Sequence, residues 1–347
     1  MRRTGSIDYI KFIFSLFILF YHFGFLFNSG YIVVEGFFMI TGYLMMASLC
    51  RKAAETEGSP YGTAKFVFRK YRSVLFPLLF SALIGFVVYE ALIYEHPMDF
   101  TAERVPLLLF EILPLQMAGF EGMWTTGVSW YLSAMLLGVA ILHPLAKKDP
   151  LRFGSTWAPV IALLGYGLLS HNYGHLDVPN LWILELVNTG LIRGIAGLCG
   201  GFVIYCLANR SGSAEPTLPA RFLYSALAGL GWYILFRTVM QPRNERIVSD
   251  FILTGAIFLF LSLVLSGKTL LSLVPSSKLS RALATVSTFV YLNHYPWSVY
   301  LTYAYPEQTV WQRMPRYFIC VAASSLLVWG LTTLCEYLLR LRRRKAV

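Results

Sequence analysis

The stretch FILFYHFGFLFNSGYIVVEGFFMITGYL, residues 17–44, decides the fold class of this chain. It is almost wholly apolar except for a central Asn-Ser-Gly turn. Each apolar arm, 6–27 and 31–49, has close to the roughly 20 residues that cross a bilayer core. The pattern therefore predicts two membrane-spanning helices joined by a turn. His22 and Glu35 interrupt the apolar sequence, one on each side of that turn.

The composition extends this prediction to the whole chain. Of the 347 residues, 56% are hydrophobic and 14% are charged, against roughly 25% charged in soluble domains. Apolar runs recur to the end, which excludes a signal peptide followed by a secreted domain. The sequence predicts an all-α polytopic membrane helix bundle, with one integral-membrane domain over 1–347 and no attached soluble domain. The predicted spans are 6–27, 31–49, 74–95, 129–146, 156–171, 188–208, 222–240, 249–267, 284–304 and 316–339.

The segment 105–119, VPLLLFEILPLQMAG, is predicted not to cross the membrane. It is short, has two prolines and contains Glu111, so we expect a re-entrant or interfacial segment. Ten crossings with a cytoplasmic amino terminus place 21 of the 29 Lys and Arg residues in cytoplasmic loops and ends, as topology requires. Counting 105–119 as a crossing would move the basic tail RLRRRKAV outside. We therefore expect a multi-pass protein of the cell membrane, among its lipids, with both termini cytoplasmic.

The net charge of +11 is explained by this topology, so nucleic-acid binding is not expected. The five cysteines have neither the spacing of metal ligands nor an evident pairing, and we expect reduced packing residues. No metal site and no tightly bound cofactor are predicted.

Ionisable side chains inside predicted spans are candidates for function, because burial in a membrane is costly. His22 and Glu35 lie almost symmetrically about the turn, so we expect them at one depth on neighbouring helices. The carboxylate would then fix the imidazole tautomer while the other nitrogen removes a proton from an alcohol. The alternative is a buried pair that only tethers two helices; a position inside the membrane favours function.

Basic residues mark the cytoplasmic side. Lys11 precedes His22 by eleven residues, about three helical turns, which places both on one face roughly 16 Å apart. A cation and a base on that face would line one channel; the alternative is a lysine that snorkels to the interface. Arg69, Lys70 and Arg72 precede a further span and suit a phosphate-bearing donor. Membrane topology also explains basic residues there.

Together these segments resemble the acyltransferase 3 family, multi-pass bacterial enzymes that transfer acyl groups, usually acetyl, to surface polysaccharides and related glycans. IDYIKFIFSLFILFYHF has the family's opening, with Asp8 followed by Lys11, which ten positions separate from His22. GYIVVEGFFMITGYLM resembles the second helix, with Thr41-Gly42 in place of Ser-Gly. FRKYRSVLFP resembles the Arg-x-x-Arg segment. The resemblance covers essentially the whole chain.

Later segments agree less closely with the family. VSWYLSAMLLGVAILHPL, which begins before Trp130, resembles the fourth helix, but Met135 stands where many members have glutamate. GLIRGIAGLCGGF is similar to the arginine-containing helix and aligns Arg193. STFVYLNHYPWSVYL resembles the Tyr-x-x-His segment, with Tyr291 and His294. Trp130, Arg193, Tyr291 and His294 are therefore expected to line an acceptor site or channel.

The resemblance implies an acyl-CoA donor, by default acetyl-CoA, bound from the cytoplasm at Lys11, Arg69 and Arg72. Succinyl or longer acyl groups stay open. The acceptor would be a glycan or lipid-linked sugar arriving from outside. His22 would act as general base or would briefly hold the acyl group, with Glu35 orienting it.

Two other functions compete with this interpretation. A proton-coupled transporter also uses His, Glu and Lys inside the membrane, but the sequence has no convincing internal repeat. A non-catalytic scaffold is the second alternative, but it does not explain why ionisable residues are buried inside predicted spans.

Overall fold

The structure, a computed structural model, describes residues 5–55, 62–93, 104–210, 215–240 and 249–345. The α-helices are α1 (Gly5–His22), α2 (Val34–Glu55), α3 (Thr63–Val87), α4 (Arg104–Ile112), α5 (Trp130–Ala146), α6 (Pro150–Arg152), α7 (Ala158–Tyr173), α8 (Thr189–Arg210), α9 (Leu218–Met240), α10 (Ser249–Leu265), α11 (Lys278–Ala304) and α12 (Val310–Lys345). Strands β1 (Trp182–Ile183) and β2 (Val187–Asn188) form a small antiparallel hairpin.

Irregular helical turns join or extend several of these helices. The 3-10 turns are Gly30–Val33, Gln116–Ala118 and Leu271–Leu273, and the π-helical turns are Val88–Ile93 after α3 and Phe153–Trp157 between α6 and α7.

The helices confirm the predicted all-α membrane bundle. Among the described residues, seven helical segments are long and apolar enough to cross a membrane, and two shorter apolar helices are Trp130–Ala146 and Asp250–Leu265. α11 has 27 residues, enough to cross, but it is more polar because it includes Asn293 and His294.

α4 does not cross the membrane. Its 9 residues span about 13 Å at 1.5 Å per residue, less than half of a bilayer core of about 30 Å. The 3-10 turn Gln116–Ala118 follows it. The segment 105–119 is therefore a non-spanning helix and turn, as its length and prolines predicted.

Several helices begin or end away from the limits of the predicted spans, and two of these differences affect the site. α1 ends at His22 instead of residue 27, because the backbone leaves the helix through Gly24, whose φ is 73°, a conformation that glycine adopts without strain. α3 begins at Thr63 instead of residue 74, because a helix can continue past the bilayer core with polar residues. His22 is thus the last residue of α1, and Glu35 lies in the first turn of α2.

The centre of the bundle is the crossing of α2 and α8. A Cβ atom on Gly42 would lie 2.0 Å from the Leu198 carbonyl oxygen, and one on Gly201 would lie 2.1 Å from that of Met39. Only glycine permits backbones to approach this closely. α1 packs on α11, and α5 and α7 pack on α8. The five cysteines are free thiols, as predicted.

The bundle has two ends, which we name from α1. At the near end, where α1 begins, the Gly5 amide donates to the Val274 carbonyl at 2.9 Å. At the far end, where α1 finishes, the Tyr21 hydroxyl donates to Asp177 at 2.9 Å. The near end is the side that the charge pattern of the sequence predicts to be cytoplasmic.

Glu111, on α4, is fully buried and holds the far-end loop before α5. Its Oε2 accepts from the Thr125 amide and hydroxyl at 2.8 and 2.9 Å. Its Oε1 accepts from the Thr126 amide and hydroxyl at 3.0 and 2.7 Å and from the Ser129 hydroxyl at 2.9 Å. A charged acceptor strengthens each of these bonds. The non-spanning α4 therefore fixes the backbone of this loop.

This network predicts that Glu111→Gln destabilises the fold. The glutamine NH₂ group would face hydrogen-bond donors and leave buried groups unsatisfied, which lowers the free energy of unfolding by about 2–3 kcal/mol. Unfolding of the detergent-solubilised protein measures the loss. Glu121→Gln, at an exposed position nearby, is the control, and equal stability of the two variants would contradict the role given to Glu111.

Candidate active site

The fully buried Glu35 and Arg193 form an ion pair across the crossing of α2 and α8. Arg193 Nε donates to Glu35 Oε1, and the Tyr166 hydroxyl of α7 donates to Glu35 Oε2. The other two Arg193 nitrogens donate to the carbonyls of Leu176 at 2.7 Å and Tyr31 at 2.9 Å. Both charges are thus hydrogen-bonded on several sides, as a buried ion pair requires.

Trp130 belongs to this same cluster. The Arg193 guanidinium lies over the Trp130 ring, 5.2 Å from its centroid, within the range of a cation–π contact. Trp130 and Arg193 therefore meet in the protein core, where Arg193 joins α8 to α2.

The predicted pair of His22 and Glu35 is wrong. Both carboxylate oxygens of Glu35 are taken by Arg193 and Tyr166. Two physical reasons account for this: α1 ends five residues early, and the close crossing of α2 and α8 brings a full positive charge to the carboxylate. A guanidinium is a stronger partner for a buried carboxylate than a neutral imidazole.

His22 lies instead beside His294 of α11. Their ring centroids are 5.2 Å apart, and the Tyr295 ring meets His22 edge-on at 5.0 Å. His22 is half-buried, whereas His294 is fully buried. Two histidines separated by more than 270 positions in the chain are thus neighbours at the far-end half of the bundle.

The backbone fixes the tautomer of His294. Its Nδ1 lies 2.7 Å from the Tyr291 carbonyl oxygen and 3.2 Å from that of Val290. A carbonyl only accepts, so Nδ1 carries the proton and the neutral ring has its lone pair on Nε2. Nε2 is buried and has no hydrogen-bond partner among the described residues. This nitrogen can accept a hydrogen bond or a proton.

A cavity of about 190 Å³ enters the bundle from the near end. Its lining includes Lys11, Lys70 and Ser73, and it extends to Tyr291 on α11. The Tyr291 hydroxyl donates to the Val128 carbonyl at 3.2 Å, and its ring centroid lies 6.0 Å from that of His294. The cavity therefore leads from two lysines to the neighbourhood of the histidines.

A second near-end cavity, of about 420 Å³, adjoins the first. It is lined by Arg69 and Arg72 of α3 and by the paired Arg340 and Glu336 of α12. Ser73 lines both cavities. The predicted donor residues Lys11, Arg69 and Arg72 thus lie around one continuous region.

A third cavity, of about 560 Å³, lies at the far end. Its lining includes Glu90, Arg104, Trp124 and Asn180, together with Tyr295, the same tyrosine that contacts His22. Gly127, whose φ is 64°, packs against Tyr295, and a Cβ there would lie 1.9 Å from the ring. The loop held by Glu111 thus supports this tyrosine.

α11 links the near-end and far-end cavities. Tyr291 lines the near cavity and Tyr295 the far cavity, and four residues of helix separate them by about 6 Å. His294 lies between these two tyrosines, with His22 beside it. The two histidines therefore lie between a cationic near-end cavity and a polar far-end cavity.

A family model described as an acyltransferase domain matches residues 4–334, nearly the whole chain. The chain belongs to the acyltransferase 3 family. No significant match was found among curated proteins or among solved structures. The protein is a membrane acyltransferase, which uses an acyl donor and an acceptor substrate.

The candidate site contains residues that the sequence did not indicate as functional. Tyr166 and Trp124 carry no charge and lie in ordinary apolar or loop sequence, so no sequence pattern indicates a functional role for them. Tyr295 directly follows His294 in the Tyr-x-x-His segment, and that position could have identified it. Within the described ranges, no group of three His, Cys, Asp or Glu side chains could hold a metal ion.

For this acyltransferase, the ion pair predicts that Glu35→Gln acts mainly on stability. The change leaves the buried Arg193 charge without its counter-ion, which lowers the free energy of unfolding by about 3 kcal/mol. Turnover per folded molecule should fall by less than the roughly 10²–10⁴-fold that a general base supplies.

Thermal unfolding and acyl transfer, both normalised to folded protein, separate these effects. Glu307→Gln, at an exposed carboxylate, is the matched control. If the Glu35→Gln variant has normal stability but hundredfold lower turnover, Glu35 takes part in the chemical step and the stability role is contradicted.

Proposed function

We propose that this acyltransferase transfers an acyl group, by default acetyl, from cytoplasmic acyl-CoA to a hydroxyl group of an extracytoplasmic or lipid-linked glycan. The observation that carries the proposal is the position of His22 and His294 between the two cavities. A donor from one side and an acceptor from the other can meet only where the cavities approach each other.

The near end is the cytoplasmic face in this proposal. The loops and tail assigned to that face carry 21 of the 29 Lys and Arg residues, which is the asymmetry of a protein inserted in the cell membrane. Acyl-CoA would then enter from the compartment that contains it.

The near-end cavities fit the two parts of acyl-CoA. Arg69 and Arg72 line the outer of the two, beside the paired Arg340 and Glu336, and arginine binds phosphate oxygens through paired donors. The smaller cavity, beside Lys11 and Lys70, would receive the pantetheine arm. The thioester would then reach Tyr291, one helical turn from Tyr295.

His22 is proposed as the general base. It removes the proton of the acceptor hydroxyl, whose oxygen attacks the thioester carbonyl carbon; the C–O bond forms, the C–S bond breaks, and the imidazolium returns the proton to the departing thiolate. His294 Nε2 accepts a hydrogen bond from the protonated His22 ring, which is the role that was predicted for Glu35. The centroid distance of 5.2 Å permits this bond when the two nitrogens face each other.

A proton-coupled transporter would also have cavities on both sides of buried histidines. Membership of an acyltransferase family favours transfer over transport. Release of free CoA thiol, which transport does not produce, distinguishes the two.

The donor site predicts weaker acyl-CoA binding in Lys11→Ala and Arg72→Ala. Each change removes a charged hydrogen-bond donor worth about 1.5–3 kcal/mol, so the Kd should rise by about tenfold or more. Arg72→Lys should restore only part of the affinity, since a point charge cannot make paired bonds.

Calorimetric titration of folded protein with acetyl-CoA measures these affinities. Arg316→Ala is the control, because Arg316 is an exposed arginine on α12 near Tyr305, away from the near-end cavities. Unchanged affinity in both test variants would remove the donor-site assignment.

The histidine pair predicts that His22→Ala and His22→Gln lose turnover by about 10²–10⁴-fold while acyl-CoA affinity is kept, since neither supplies a base. His294→Ala should lose turnover as well, with donor affinity unchanged, because its Nε2 no longer stabilises the His22 imidazolium.

Thiol release in the presence of an acceptor measures turnover, and His171→Ala, at an exposed histidine, is the control. Near-normal turnover by folded His22→Ala would contradict the mechanism.

A further inference from the structure

The far-end cavity contains a buried carboxylate that is only partly satisfied. Glu90 is 1% exposed, and Arg104 pairs with its Oε1. Its Oε2 is buried and has no hydrogen-bond partner among the described residues. Burial of this oxygen away from water therefore costs free energy that no hydrogen bond offsets. A ligand that donates a hydrogen bond into the cavity would supply the missing partner.

The backbone at Glu90 is unusual. Glu90 lies in the π-helical turn Val88–Ile93, which extends α3. π-helical turns inside helices occur frequently at functional sites, because the extra residue re-aims the side chains around it. Here the turn places Glu90 in the lining of the cavity.

Trp124 is also held in an uncommon conformation. Its φ is 58°, which is rare for a bulky residue and persists only where the surroundings impose it. Glu111 binds the amides of the next two residues, Thr125 and Thr126. This places the Trp124 side chain in the lining of the cavity beside Glu90.

We propose that this cavity binds the acceptor, and that the acceptor group it takes is an uncharged sugar or polyol ring. The inference rests on the proposed function. The apolar face of the ring packs on Trp124, one hydroxyl donates to Glu90 Oε2, and the Asn180 amide, which can donate and accept, contacts another. Tyr295 lines the cavity and contacts His22, so the reacting hydroxyl lies beside the base.

The charge balance of the cavity selects a neutral acceptor. The Arg104 side chain is 35% exposed, but its charge is balanced by Glu90, so the pair offers no net positive charge to an anion. A sugar carboxylate beside Glu90 would meet a like charge in a partly desolvated site, which is unfavourable. The cavity therefore discriminates against uronic acids.

The test uses two matched probes, methyl β-glucoside and methyl β-glucuronide, which differ in one carboxylate. Calorimetry without donor measures their binding to the full-length protein in detergent, and thiol release with acetyl-CoA measures their use as acceptors. We expect the wild type to bind the glucoside at least tenfold more tightly than the glucuronide. Trp124→Ala should weaken glucoside binding at least tenfold, and Glu90→Gln should reduce the preference for the neutral probe. Both variants should keep the wild-type affinity for acetyl-CoA.

Two controls match the substitutions. Trp329→Ala changes a half-exposed tryptophan of α12, and Glu185→Gln changes an exposed carboxylate of the β1–β2 turn; neither should alter glycoside binding. If Glu90→Gln unfolds, glucoside binding by Trp124→Phe provides a second test. The smaller ring should weaken this binding partially.

Absence of glucoside binding by the wild type, preference for the glucuronide, or normal binding by folded Trp124→Ala would overturn the acceptor site. Failure of the proposed function gives a different pattern. In that case no thiol is released from acetyl-CoA with any acceptor, while Trp124-dependent binding of the glucoside persists.

Discussion

The buried ion pair between Glu35 and Arg193 is the interaction on which the rest of the bundle depends. A single unpaired charge at this depth would cost several kcal/mol, so each group requires the other in place. Because Arg193 also binds the carbonyls of Leu176 and Tyr31, the pair connects α8 and α2 with the segments that follow α7 and α1. The Tyr31 hydroxyl extends the network to Asp250 of α10 at 2.7 Å. The turn after α1, and with it the position of His22, is fixed by this network.

A second hydrogen-bond network, around Glu111, supports the side of the site opposite the ion pair. Glu111 fixes the far-end loop, whose Val128 carbonyl accepts from Tyr291 and whose Gly127 packs on Tyr295. α11 is thereby held against α1 at the level of the histidines. The histidines of α1 and α11 thus lie between two clusters that are each organised by a buried glutamate.

The sequence predicted the fold class because span length and positive-inside charge are imposed by the bilayer itself. It also predicted that 105–119 would not cross, from its length and prolines. The cost of ionisable residues in a membrane identified Lys11, His22 and His294 as residues of interest, and the structure places each beside a cavity or another histidine. Their partners were harder to predict, because a local feature, the backbone turn at Gly24, ends α1 early and changes which side chains meet.

The partner of Glu35 could not be predicted from spacing, since Arg193 is 158 positions away and reaches it only through the crossing of α2 and α8. Loop residues gave still less information. Trp124 and Asn180 lie in segments without periodicity, and Glu90 lies in a π-helical turn that hydropathy does not reveal. These residues line the far-end cavity, where acceptor selection is proposed, and the sequence did not indicate them.

The central claim is that donor and acceptor meet at the histidine pair from opposite ends of one barrier. An experimental structure with a non-hydrolysable acetyl-CoA analogue, in which the thioester sulfur is replaced by a methylene group, tests it most directly. We predict that the phosphates lie beside Arg69 and Arg72, that the pantetheine arm passes Lys11 and Lys70, and that the acetyl carbonyl lies within hydrogen-bond reach of His22 or His294. An acetyl group that stops at the near-end surface, or a donor bound in the far-end cavity, would contradict the account.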